Sequence, residues 1–228
     1  MTVQVTVGLD GSSESVAAAA WAAREAVRRE APLRMVHVEE LPVAPAILYP
    51  IAAYDAERST GPLRDTAEQL SKDHPGLEVT TEEVRGRARS LLSAAADESD
   101  LMVLGSRGLG GLVGFQAGSV SLAVVRRSHR PVVLVRADRA DAPAAGEVPG
   151  PAVGEIVAGA DLRHSNTPVL AFAFLEAARR GVRVRVVHGW TLPGPSVYAM
   201  VADPGIGETV GGHVASALAE LVRPLRRS

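Results

Sequence analysis

Short β-branched runs alternate with longer alanine-rich stretches of helical spacing through the first 136 residues, and this alternation limits the fold more than any other feature. Val3 to Leu9, Leu33 to Val38, Leu77 to Val84, Leu101 to Leu104 and Pro131 to Arg136 read as strands. Ser15 to Arg29, Gly61 to Lys72, Arg89 to Glu98 and Ser119 to Arg127 read as the helices between them. The first helix carries Val16, Ala20, Ala23 and Val27 as one stripe, and Asp10-Gly11-Ser12-Ser13 ahead of it brings helix-capping chemistry. Glu39 to Glu57 is interrupted by prolines and reads as a loop, longer than most inside a compact domain. Strands and helices in this order predict an α/β, Rossmann-like fold: an open parallel five-stranded sheet with helices on both faces. Ligands of such sheets sit beyond the carboxyl ends of the strands, near a topological switch point. Asp10, Val38 and Gly105 all fall at or just past strand ends, so one crevice can gather them.

The fourth strand runs into glycines. Gly105-Ser106-Arg107-Gly108 is followed, nine residues later, by Gly118-Ser119-Val120-Ser121, which opens the last helix. A strand feeding a glycine-rich loop and a helix N-terminus is one way α/β proteins surround a phosphate with main-chain N–H groups. Glycine spacing is weak evidence by itself, and a plain surface turn explains it too.

Taken with Val5-Thr6-Val7-Gly8-Leu9-Asp10-Gly11-Ser12, Val36-His37-Val38 and the closing Pro131-Val132-Val133-Leu134-Val135-Arg136, the run Gly105-x2-Gly108-x9-Gly118-Ser119 resembles the universal stress protein family over residues 1–137. The glycine spacing matches that family's ATP-loop pattern in full. The resemblance implies the strand order 3-2-1-4-5 and an adenine nucleotide beside Gly8, Leu9 and Leu104. Gly105 and Gly108 would offer amides to the phosphates, and Gly118, Ser119, Val120 and Ser121 would close from the other side. Asp10 would lie near the adenosine, as a hydrogen-bond acceptor, with capping of the first helix as its simpler role. Val38 would present its backbone to the adenine edge. Arg107 either adds charge or is merely solvated, and Gly86 either borders the pocket or only makes a turn. ATP, with or without Mg2+, is the implied ligand; AMP and cyclic AMP share the same contacts. The resemblance also implies a homodimer built through the Pro131–Arg136 strand.

Composition narrows the classes. The chain has 228 residues, a net charge of −2 and no cysteine, so disulfide scaffolds, thiol catalysis and Cys-based metal sites are excluded. The charge gives no electrostatic preference for nucleic acid or an anionic membrane, and no apolar run reaches transmembrane length. Met1-Thr2-Val3 leads straight into strand-like sequence with no room for a signal peptide, so cytoplasm is the expected location.

Residues 138–152, rich in Pro, Gly and Ala, read as a linker. After them the pattern restarts at a fixed offset of 151 residues. Ile156 to Asp161 answers Val5 to Asp10, Glu176-Ala177 answers Glu25-Ala26, Arg179-Arg180 answers Arg28-Arg29, and Val187-His188 answers Val36-His37. Val214, Leu218 and Leu221 answer Leu63, Ala67 and Leu70. Residues 153–228 are therefore expected to be an incomplete second repeat (β-α-β-α), without a glycine loop. Leu162-Arg163-His164 stands where the first copy has Gly11-Ser12-Ser13, so this half is not expected to bind a nucleotide. His37, recurring as His188 within a strand pattern, reads as a packed structural histidine.

Catalysis has little support in the residues. There is no GxxxxGK[ST], HExxH, CxxC or GxSxG pattern, and Lys72 is the only lysine. Asp97-Glu98-Asp100 reads as a solvated helix end. Three functions stand in contention. The first is a nucleotide-binding stress-response module acting through conformation or association. The second is an enzyme of the same fold, a slow ATP hydrolase or nucleotidyl transferase, which needs an acidic metal ligand near the glycines. The third is a nucleotide-free dimerisation module. The intact glycine spacing favours the first.

Overall fold

Val5–Leu9 (β1) and Leu101–Gly105 (β4) are buried along almost their whole length, as strands covered on both faces must be. In the computed structural model they lie side by side at the middle of a five-stranded sheet whose strands, numbered along the chain, run in the order 3-2-1-4-5. The structure describes residues 3–40, 56–106, 118–137, 154–164, 166–190 and 205–227. The other strands are Leu33–Glu39 (β2), Val79–Arg85 (β3) and Val132–Val135 (β5), and every pairing is parallel. The expected architecture and strand order are both present. The chain leaves β1 toward β2 on one side and returns through β4 on the other, so the switch point lies between β1 and β4.

Ser13–Arg28 (α1) joins β1 to β2, Ala56–Asp73 (α2) leads to β3, Ala88–Asp97 (α3) joins β3 to β4, and Ser119–Arg127 (α4) joins β4 to β5. On one face of the sheet Leu92 and Ala96 of α3 and Val124 of α4 pack with Val36, Met102 and Leu104. Helix α1 lies against β1 and β4.

Its buried face differs from the expected stripe. Val16 and Val27 are exposed; Ala23 of the expected stripe is buried, and Ala18, Ala19, Ala22 and Ala26 are buried with it. A helix seated close to a sheet has room for methyl groups only, so the branched residues turn outward. Glu25 is fully buried in the same face, with Arg29 Nε at 2.7 Å and Arg28 Nη1 at 3.4 Å.

Helix α2 begins at Ala56, ahead of the expected Gly61, and runs through Pro62, which lacks an N–H to donate. The expected loop at 39–57 falls mostly outside the described residues.

The chain divides into two compact units, residues 1–145 and 146–228; the expected linker at 138–152 lies outside the described residues. The second unit contains Glu155–Gly159 (β6), Thr167–Arg180 (α5), Arg183–Val187 (β7), Gly205–Val222 (α6) and a final 3-10 turn, Pro224–Arg227. Strands β6 and β7 form a two-stranded parallel sheet. Ala158, Leu170 and Ala173 make its core, with Ile156, Val184, Val186, Leu221 and Leu225 around them.

Local details recur at the spacing of 151. Val5 pairs with Leu33 and Ile156 with Val184. His37 Nδ1 meets Leu9 O at 2.9 Å, and His188 Nδ1 meets Ala160 O at 2.8 Å. Glu25 is engaged by Arg28 and Arg29, and Glu176 by Arg179 and Arg180. A left-handed residue follows the helix at the same repeat position in both units: Glu30 at φ 51°, one residue past the Arg29 C-cap of the first, and Gly181 at φ 63°, the C-cap of the second. Both histidines thus cross-link neighbouring strand ends.

Candidate functional site

Strand β1 ends in Gly8-Leu9, with Asp10 just past it, and β4 in Leu104-Gly105, and a cleft of about 230 Å³ opens between these two ends. Its walls bring together Gly8, Leu9, Asp10, Val38, Leu104, Gly105, Gly118, Ser119, Val120 and Ser121. All ten are residues singled out in the sequence. Arg107 and Gly108 lie outside the described residues. Ser12, Ser15, Ala88 and Leu92 also line the cleft and were missed. Gly86 does not line it; at φ 148° it sits after β3, with its N–H donating to Glu39 O at 3.0 Å.

The cleft has an apolar half. Val38, Ala88 and Val120 pack directly on the core cluster that includes Leu92 and Leu104. The cleft floor is thus an extension of the hydrophobic core, suited to a flat apolar group such as a nucleobase.

The polar half is set by the two helix starts. At α1, Ser12 is the N-cap and accepts from Ser15 N–H at 3.2 Å. Asp10 therefore does not cap the helix, contrary to its simpler expected role. Its Oδ1 instead accepts from the backbone N–H of Ser12 at 3.0 Å and from Ser12 Oγ at 2.5 Å. The hydroxyl of Ser15 donates to Ser12 O at 2.9 Å and accepts from Asp10 N–H at 3.3 Å. These bonds hold the exposed Asp10 carboxylate at the rim in one orientation.

At α4 the N-cap is Gly118, with no side chain to cap the helix. The first-turn amides of an α-helix have no intrahelical acceptor, and the helix dipole adds partial positive charge there. Ser121 is pinned: its Oγ donates to Gly105 O at 3.0 Å, which fixes the helix start to the end of β4. Ser119 is exposed at the mouth of the same turn. An uncapped helix start opening on a cleft is a place for an anion.

Gly105 serves a purpose not legible in the glycine spacing. A Cβ there would sit 2.8 Å from Glu14 C and O and 2.9 Å from Ser15 N, the backbone of α1. The missing side chain makes room for a helix. Gly8 faces side chains instead, the nearest being Leu104 Cδ2 at 2.7 Å from an added Cβ.

The matching loop of the second unit is built differently. Asn166, at the position of Ser15, accepts from Asp161 N–H at 2.8 Å and donates to Asp161 O and His164 O. Asp161 accepts from Arg163 N–H at 3.0 Å and meets His164 Nδ1 at 2.7 Å. The Arg163 amide first, and the His164 ring second, hold the Asp161 carboxyl below the usual aspartate range. Among the described residues no cluster of three or more His, Asp or Glu side chains could hold a metal ion. No helix among them is long and apolar enough to cross a membrane.

Comparison with known proteins places this site in a family. The model of the universal stress protein family matches residues 1–136. The universal stress protein Rv2005c of Mycobacterium tuberculosis is 36% identical over 194 residues, covering 82% of this chain and 64% of that protein. The chain therefore spans about two thirds of the length of the curated relatives it matches. Among solved structures, a universal stress protein in complex with cAMP is 28% identical, with a TM-score of 0.44, covering 59% of this chain and 97% of that one. UspA from Lactobacillus plantarum is 20% identical, with a TM-score of 0.49 and coverage of 59% and 97%. The family match spans more than half of the sequence and includes every described wall of the cleft: the chain belongs to the universal stress protein family.

Proposed function

We propose that the first unit binds an adenine nucleotide in the cleft between β1 and β4, and that occupancy acts through conformation or association. The observation that carries this is the uncapped start of α4, Gly118-Ser119-Val120, opening on a cleft whose other half is continuous with the apolar core. The base rests on Val38, Ala88 and Leu92, the ribose hydroxyls meet the fixed Asp10 carboxylate, and the phosphates meet the amides of Ser119 and Val120. Arg107 and Gly108 complete the phosphate contacts on this reading. ATP is the proposed ligand, with AMP and cyclic AMP as members of the same class that use the base and ribose contacts alike.

The second unit, on this proposal, is an incomplete copy of the first that does not bind nucleotide. In its loop the polar groups of Asp161, His164 and Asn166 bond to one another, and no described glycine run follows a strand there. The first unit also dimerises through the β5 edge, where Val132 to Val135 carries no charge. A protein of this kind works in the cytoplasm and needs no catalytic group.

Thermal unfolding in rising concentrations of ATP, ADP, AMP and cyclic AMP tests the reading. A saturable rise in Tm with at least one adenine nucleotide is expected, because a ligand that binds only the folded state stabilises it by mass action. A Tm unmoved by all four overturns it.

A further inference from the structure

Two carboxylates close β2, and both reach across to the turn between β3 and α3. Glu39 is buried, with Arg85 Nε at 2.6 Å from its Oε2, and its backbone C=O accepts from Gly86 N–H at 3.0 Å. Glu40 reaches further: its Oε1 accepts from the N–H of Ala88, the first residue of α3, at 2.6 Å. The N-cap of that helix, Arg87, makes no side-chain cap bond, so Glu40 supplies the acceptor from a different element.

This bond joins two walls of the cleft. Val38, two residues before Glu40, forms one, and Ala88 with Leu92 forms another. Val38 and Ala88 are both half-buried and pack on the same core cluster. A hydrogen bond to an ionised acceptor is short and strong, so the end of β2 and the start of α3 are held at one separation.

Charge adds a second consequence. Exposed Arg87 and Arg89 flank Ala88, and the first-turn amides of α3 carry the positive end of its dipole. Such a place attracts anions, and Glu40 already fills it. The start of α1 is capped likewise, by Ser12. Of the described helix starts at the cleft, α4 alone has no side-chain acceptor. Nor is Glu40 part of the scaffold that the two units share. Glu25 and His37 recur as Glu176 and His188, whereas Thr191 stands at the place of Glu40.

We infer that Glu40 is the positioning residue of the base slot: by bonding Ala88 N–H it fixes the Val38 wall against α3 and bars phosphate from that helix start. The base then lies at α3 and the phosphates at α4. This inference rests on the adenine-nucleotide reading of the cleft, and it gives Glu40 no contact with the ligand. A slot of one width takes adenine and rejects guanine, whose additional exocyclic amino group widens the base.

ATP and GTP share ribose and triphosphate and differ only in the base, so the ratio of their dissociation constants reads the slot. The full chain is expected to favour ATP. Glu40→Ala is expected to lower that ratio by about tenfold, the worth of one hydrogen bond to a charged group. Glu40→Gln, which keeps an acceptor oxygen, is expected to retain most of it. A bond with a merely structural role would lower Tm and weaken both nucleotides by one factor, and a ratio unchanged in Glu40→Ala overturns the inference. So does a parent protein that binds ATP and GTP alike, or a Glu40→Gln protein that loses the ratio as fully as Glu40→Ala. A parent protein that binds no purine nucleotide overturns the adenine reading as well, which tells the two failures apart.

Discussion

The end of β4 and the start of α1 touch at Gly105 and Glu14: a Cβ on Gly105 would lie 2.8 Å from both the carbonyl carbon and the carbonyl oxygen of Glu14. Neither neighbour is a flexible side chain that can move aside. Gly105→Ala is therefore expected to displace the start of α1 and lower stability by about 1–3 kcal/mol, the usual cost of overpacking. Urea denaturation of the two proteins measures it. Loss of ligand binding in this variant would report on the helix as much as on the glycine loop.

A cleaner probe of the cleft is Ser119→Glu. A carboxylate in the first turn of α4 favours the helix dipole by roughly 0.3–1 kcal/mol, yet it repels a phosphate at the same amides. The expected outcome is an unchanged or slightly raised Tm together with loss of phosphate-bearing ligands. Calorimetric unfolding measures the first half of that statement.

Glu30, one residue past the C-cap of α1, has φ 51°, and Gly181, the C-cap of α5, has φ 63° at the equivalent place in the repeat. The left-handed region costs a non-glycine residue about 1–2 kcal/mol, partly offset by the greater freedom glycine gives the unfolded chain. Glu30→Gly is expected to leave stability unchanged or raise it by up to about 1 kcal/mol, and Gly181→Ala to lower it. Chemical denaturation of the two variants gives opposite or at least unequal signs.

The two buried glutamates differ in how well their arginines are shielded. Arg29 beside Glu25 is 6% exposed, and Arg180 beside Glu176 is 21% exposed. Removing one partner of a buried pair costs about 3–5 kcal/mol, less where water reaches the survivor. Glu25→Gln is thus expected to destabilise more than Glu176→Gln, as read from their denaturation midpoints.

Asp161 supplies a pH dependence. Its folded carboxyl titrates below the ordinary aspartate range, held there by the Arg163 N–H and by His164. A carboxyl lowered on folding adds stability above its unfolded value, and that stability fades as pH falls through the folded one. Asp161→Asn is expected to weaken the second unit at neutral pH and to converge with the parent protein in acid. A carbon-detected NMR titration that placed the Asp161 carboxyl at or above its free value would contradict this.

The five strands and their order were legible because buried parallel strands are short unbroken apolar runs, and Val5–Leu9 and Leu101–Gly105 show this plainly. The buried face of α1 was not legible. Apolar periodicity favours Val16 and Val27, whereas the close seat of the helix, visible only at Gly105, selects alanine. Ser12 and Ser15 reach the cleft through a turn whose hydrogen bonds depend on Asp10, so no spacing rule points to them. Ala88 and Leu92, one helical turn apart on α3, are ordinary core residues by sequence, and they line the cleft only because the apolar core continues into it.

The account stands most directly on isothermal titration of the full chain and its Ser119→Glu variant with ATP, ADP, AMP and cyclic AMP. It predicts one site per chain for at least one of these nucleotides, and loss of that site in the variant without loss of fold. No heat of binding with any nucleotide, or equal binding by both proteins, would contradict it.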